Sequence, residues 1–261
     1  MSDLVAGVEG IGFWAPGLPS WEAARAFAIT GSLPADAAAR PVPRLLPANE
    51  RRRAPDTVAV ALEVALAACD AAGADPATLP SVFTSTHGDL AITDYICATL
   101  AHDAHALSPT KFHNSVHNAA AGYWTIGAGC HAPATAISSL QASFAQGLLE
   151  AMVQLAAGAE RVLLVAYDGA APGPVGTVSR SEDLLGAALV LAREARPGTT
   201  RLRATLVGGT APADDGTLSR RLGANAMAPM LPLFQALAGG KDLLSLHAGP
   251  SQALRMEIAH G

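Results

Sequence analysis

The sequence predicts an α/β layered fold. Short apolar runs of strand length alternate with longer helix-forming stretches along most of the chain, and strands that alternate with helices pack in layers. The run Arg161 to Ala166 (RVLLVA) is apolar after its first residue, the pattern of a strand covered on both faces in the middle of a sheet. Half of the 261 residues are hydrophobic but only 5% are aromatic, so the core is built from Ala, Leu and Val with closely packed helices.

The elements follow in order. Val5 to Phe13 reads as a first strand, broken up by Gly7, Gly10 and Gly12 and closed by a turn at Trp14-Ala15-Pro16-Gly17. Gly31 to Pro55 is rich in Pro and Ala, ends in Glu50-Arg51-Arg52-Arg53, and predicts a surface excursion. Asp56 is placed to cap a helix over 57–72 that Gly73 stops. Its Val and Leu positions lie on nearly every face, so the helix is expected deep in the protein. Ser81 to Thr86 predicts a short strand, and a helix follows His87-Gly88-Asp89 to about His102. Ser108-Pro109 opens a loop holding His113, Asn114, His117 and Asn118. Further strands are expected over 134–138, 161–166, 185–191 and 202–207, with a long helix over 139–157. A short helix near 227–237 and a hairpin over 243–259 fill the final fifty residues.

The bulk charge narrows the function classes. A net charge of -5 with 17 basic residues argues against a nucleic-acid binder, which normally carries a basic excess. Cys69, Cys97 and Cys130 lie far apart with no paired spacing, which points to a reducing compartment and away from a disulfide framework or zinc site. No signal-peptide pattern opens the chain and no run is apolar for the length of a membrane span, so a soluble cytoplasmic protein is expected.

The central block carries a resemblance. Ser108-Pro109, then Ser115-Val116-His117-Asn118 and Ala121-Gly122, precede Pro133 to Ser143 (PATAISSLQAS). Glu160 to Val165 and Leu185 to Leu191 follow in order. This ordered set, over about residues 4–210, resembles the N-terminal half of β-ketoacyl-acyl-carrier-protein synthases. The resemblance implies a thiolase-like fold in a single domain over 1–261, with 211–261 a reduced remnant of a truncated C-terminal half. The family's cysteine nucleophile aligns with Gln141. A thiol there is activated by a helix N-terminus and backbone amides; a carboxamide has no ionisable group and forms no thioester. His247 and His260 do not continue into the family's histidine motifs. The pattern is similar to chain-length-factor subunits, and in its short length to those of aryl polyene pathways. The implied protein is a non-catalytic subunit that pairs with an active β-ketoacyl synthase in a fatty-acid or polyketide system, stabilises it and shapes its acyl tunnel. An acyl carrier protein is a further partner, and no cofactor or metal is implied. His113, His117, Asn118, Leu140, Gln141 and Phe144 are the interface or tunnel candidates, with Leu140, Phe144 and the helix over 89–100 as wall.

Other readings of the same residues stand beside this one. Ser139 or Cys130 would serve a self-sufficient acyltransferase or thioesterase, although Gly-x-Ser-x-Gly is absent. A cysteine in Gly-Ala-Gly-Cys-His is more often a buried structural one. His113, His117 and Asp89 have residue types that hold metals, but His-x-x-x-His does so on one helical face and this segment reads as loop. Arg51-Arg52-Arg53 is either a solvated run or a surface that steers an acidic carrier protein.

Overall fold

The computed structural model describes residues 3–261. Strand β1 (Leu4–Trp14) is continuous, with one irregularity between Val8 and Gly10. Its glycines do not break it up as expected. A Cβ at Gly10 would stand 2.1 Å from the Ala68 carbonyl oxygen, and one at Gly12 2.0 Å from that of Val64, so these glycines admit a helix onto the strand backbone. Helix α1 (Trp21–Thr30), which the hydrophobic pattern does not announce, is bounded by Ser20, whose side chain accepts from Ala23 N–H, and by left-handed Gly31. The segment up to Pro55 is largely exposed and irregular, with one helical turn, α2 (Ala48–Arg51). In α3 (Asp56–Ala72) the cap position belongs to Pro55, so Asp56 is the first helical residue instead of the cap. Gly73 ends the helix in the left-handed region.

Strand β2 (Ser81–Thr84) is wholly buried. Asp89 caps α4 (Leu90–His102), a helix with Ile92 as its buried residue. The stretch from Ser108, expected as loop, folds into α5 (Pro109–His113) and α6 (Ala119–Ala128). Ser108 before Pro109 is a cap followed by a first-turn proline, and the alanine run favours helix. Strand β3 (Ala134–Ile137) precedes a 3₁₀ turn over 140–142, and α7 (Ser143–Ala156) starts four residues later than expected. Strand β4 (Arg161–Asp168), helix α8 (Gly173–Val178), strands β5 (Leu185–Ala192) and β6 (Thr200–Gly208), and helices α9 (Thr217–Leu222) and α10 (Leu231–Gly239) follow. The chain closes with the hairpin of β7 (Leu243–Gly249) and β8 (Gln252–Ala259). The final fifty residues thus hold α9 as well as the one helix expected.

The eight strands run in the order β3-β2-β4-β5-β1-β6-β8-β7. β2 is parallel to both β3 and β4, and the other pairings are antiparallel. Strand β1 serves two neighbours: residues 4–8 pair with β6, and residues 7–14 with β5. Helices α3 and α6 cover one face. On the other, α7 touches β1, β2 and β4 and also β7, while α10 packs between α1 and β7. The sheet therefore wraps α7 and α10, giving successive layers of helix, sheet, helix and sheet. Phe144, Leu148, Met152 and Leu155 of α7 are buried with Leu244, Leu246 and Met256 in that inner layer. Each such side chain contributes about 2 kcal/mol by leaving water. Among the described residues, no helix is long and apolar enough to cross a membrane.

Candidate functional site

The parallel strands β3, β2 and β4 end on one side of the sheet, and the carboxyl ends of such strands are where open α/β sheets hold ligands. Three loops meet there. Ser85, Thr86 and His87 follow β2; Ser138 to Ala142 follow β3; Asp168 is the last residue of β4. The Asp168 side chain is fully buried and accepts from Ser85 Oγ at 2.6 Å, Thr86 N–H at 2.8 Å and His87 N–H at 3.1 Å. Burial pushes its carboxyl above the ordinary carboxylate range, and these three donors oppose the rise. Thr86 Oγ1 donates to Leu140 O at 3.3 Å, and Ser138 Oγ donates to Thr86 O at 3.0 Å. The loops after all three strands are thereby tied together.

Gln141 sits in the turn just ahead of α7. Leu140 before it is held at φ 51, a left-handed conformation that costs a branched side chain about 1 kcal/mol or more. Ser143 Oγ steadies this turn, donating to Leu140 O at 2.6 Å and accepting from Ser139 N–H at 2.9 Å. The Gln141 side chain is exposed and lines an open cleft of about 1370 Å³, whose walls also include Val178, Arg180, Asp214, Pro229 and His247. A carboxamide there donates and accepts hydrogen bonds but transfers no proton and takes no acyl group.

No thiol lines this cleft among the described residues. Cys130 is buried and its Sγ lies 3.5 Å from Leu79 O. Cys69 is buried in the layer of α3, where burial pushes its thiol up to about 12. Cys97 is exposed on α4. Ser139 has its backbone engaged with Ser143, and no histidine hydrogen-bonds Ser138, Ser139 or Ser143 among the described residues.

The other residues singled out from sequence fall into two groups. His117 and Asn118 line a smaller cavity of about 490 Å³ together with Ala121 and Thr125 of α6 and the outward side of β3 at Ala134 and Ala136. His117 Nε2 is 2.9 Å from Ser85 O; a carbonyl only accepts, so this nitrogen carries the proton. His113 points elsewhere, edge-on to Tyr123 at 6.5 Å. Asp89 is occupied by Ile92 N–H and by Thr57 Oγ1 at 2.7 Å, so the three do not converge. Leu140 is 70% exposed at the cleft, whereas Phe144 is buried beneath it against Phe234. Sequence reasoning missed Asp168 and gave His247 no part, although β7 brings that histidine into the cleft with Gln141. The signal for Asp168 was present: a carboxylate directly after an unbroken apolar strand must find donors.

The layered sheet and its converging strand ends define a thiolase-like protein of the ketosynthase type. The family described as Beta-ketoacyl synthase, N-terminal domain, matches residues 21–249, and the chain belongs to that family. Among solved structures, it is similar to one of the ketosynthase ApeO in complex with its chain length factor ApeC from Xenorhabdus doucetiae. The TM-score is 0.76 at 25% identity, covering 97% of this chain and 99% of that one, so the two are of nearly equal length. The ishigamide ketosynthase/chain length factor shares the fold at a TM-score of 0.65 and 16% identity, again covering 97% and 99%. Against ketosynthase twelve of the bacillaene polyketide synthase from Bacillus amyloliquefaciens, the TM-score is 0.54 at 14% identity. There, 80% of this chain covers only 46% of that one. No curated protein matches the chain by sequence.

Proposed function

We propose that this chain is a chain-length-factor-type subunit that pairs with an active β-ketoacyl synthase and performs no condensation itself. The observation that carries the reading is Gln141 at the turn into α7, where the family resemblance aligns the nucleophilic cysteine. Condensation begins with a thiolate that accepts the acyl group, and an amide cannot begin it. Near-equal length with the ApeO–ApeC match supports a short subunit of this kind, and an aryl polyene-like pathway is the setting we favour.

The partner surface is the open side of β3. This strand bonds to β2 along one edge only, and an unpaired edge is a template for another strand. Beside it lies the small-residue cavity with His117 and Asn118, and the chain on either side of those two residues exposes the apolar side chains of Phe112, Val116 and Ile126. Such a patch is what a stable protein interface covers. The paired ketosynthase supplies the nucleophile, while this chain holds it in shape and lends Leu140, Gln141 and α4 to the acyl tunnel. The acyl carrier protein delivers substrate to the pair.

The test is co-expression with a full-length ketosynthase that carries its cysteine, followed by intact-mass measurement after addition of an activated acyl donor. We expect a stable heteromer with the acyl adduct on the partner. Ala136→Arg, which places a charge on the exposed side of β3, is expected to weaken assembly at least ~10-fold, since a desolvated unpaired charge costs several kcal/mol. An adduct on this chain alone, or elongation by this chain alone, overturns the reading.

A further inference from the structure

Asp168 ends β4 with its carboxylate out of contact with water, and its partners are a hydroxyl and two backbone N–H groups. No arginine or lysine forms an ion pair with it among the described residues. Main-chain donors cannot swing away as side chains do, so the carboxylate fixes the path of the chain at Thr86 and His87. Ser85 Oγ, which donates to the same carboxylate, also accepts Gly88 N–H at 2.8 Å, closing the turn from behind.

The two residues so fixed reach in different directions. Thr86 meets the turn after β3, through Leu140 O and Ser138 Oγ. His87 Nε2 is 2.6 Å from Ser179 Oγ, at the end of α8. Gln141 and Val178 stand in the walls of the same cleft on these two segments. The α8 segment is rich in Gly and Pro, and Val178 is 85% exposed, so packing alone holds it weakly.

We infer that Asp168 is a positioning residue that holds two walls of the cleft: through Thr86 the turn bearing Gln141, and through His87 the α8 segment. The consequence for chain length rests on the function proposed above; the lock itself does not.

Hydrogen exchange on the purified chain, alone or in its complex, separates this role from ordinary stabilisation. Asp168→Asn replaces one acceptor oxygen by a donor facing N–H groups. It is expected to speed exchange roughly 10-fold or more over residues 138–143 and 173–181 while leaving β1 and β5 unchanged. Thr86→Val is expected to speed only the first segment and His87→Ala only the second. These two variants carry the test if Asp168→Asn does not fold. Uniform acceleration across the sheet, or no selective change in Thr86→Val and His87→Ala, overturns the inference. Product lengths from the complex then form a second readout. Selective exchange with unaltered products supports the lock and counts against a tunnel role for the Gln141 turn.

Discussion

A thiol serves acyl transfer only where something lowers its pKa and solvent or substrate can reach it. Burial denies access to both buried cysteines, and at Cys69 it also raises the thiol pKa. Cys69 is surrounded by the apolar layer of α3, and Cys130 is enclosed at the end of α6. Titration of the native chain with a thiol reagent at neutral pH is therefore expected to modify Cys97 rapidly and the other two only on unfolding. Asp168 gives the chain a pH signature. Its native pKa lies above the 3.8 of a free aspartate. Between those two values the native state keeps a proton that the unfolded state has released, so its contribution to stability falls as pH rises from about 4. Asp168→Asn has no proton to lose. Its unfolding free energy is expected to vary less over that range than the wild type's, measured by denaturant titration at successive pH values. Gln141 could be located from its place between the β3 run and the α7 helix. The hydrogen bonds around Asp168 could not, because their partners lie more than 80 residues apart in the chain.

Among the elements, β1 and α3 show how sequence specifies contact as well as shape. Gly10 and Gly12 are alternate residues on one face of the strand, and Val64 and Ala68 are one helical turn apart, so backbone meets backbone along a line. Gly12→Ala is expected to destabilise the fold by about 3 kcal/mol, because the new methyl overlaps a carbonyl that the rigid helix cannot withdraw; denaturant unfolding checks this. Glycine in a strand reads from sequence as weakness, and only the partner helix reveals its purpose. Helices with strong stop signals were legible, as with Gly73 after α3. α1 has equally good signals in Ser20 and Gly31, but its mixed apolar pattern conceals it. The α5–α6 stretch reads as loop because its histidines and asparagines mask an alanine-rich helix that α3 and β2 make room for.

At the level of the molecule, the alternation of strands and helices made the layered class legible. The wrap of the sheet around α7 was not, because it depends on β1 pairing with different neighbours along its length. That division is a matter of register, which the composition of the strand does not encode. The edge strand β3 has a further consequence. Its four residues, Ala134-Thr135-Ala136-Ile137, include no charge and no proline, the devices by which sheet margins avoid sticking to one another. Molecules synthesised beyond the supply of whatever covers that margin would self-associate or be degraded. On the pairing proposed above, the cellular amount of this chain would follow the abundance of its counterpart, and matched synthesis of the two subunits would become a structural requirement.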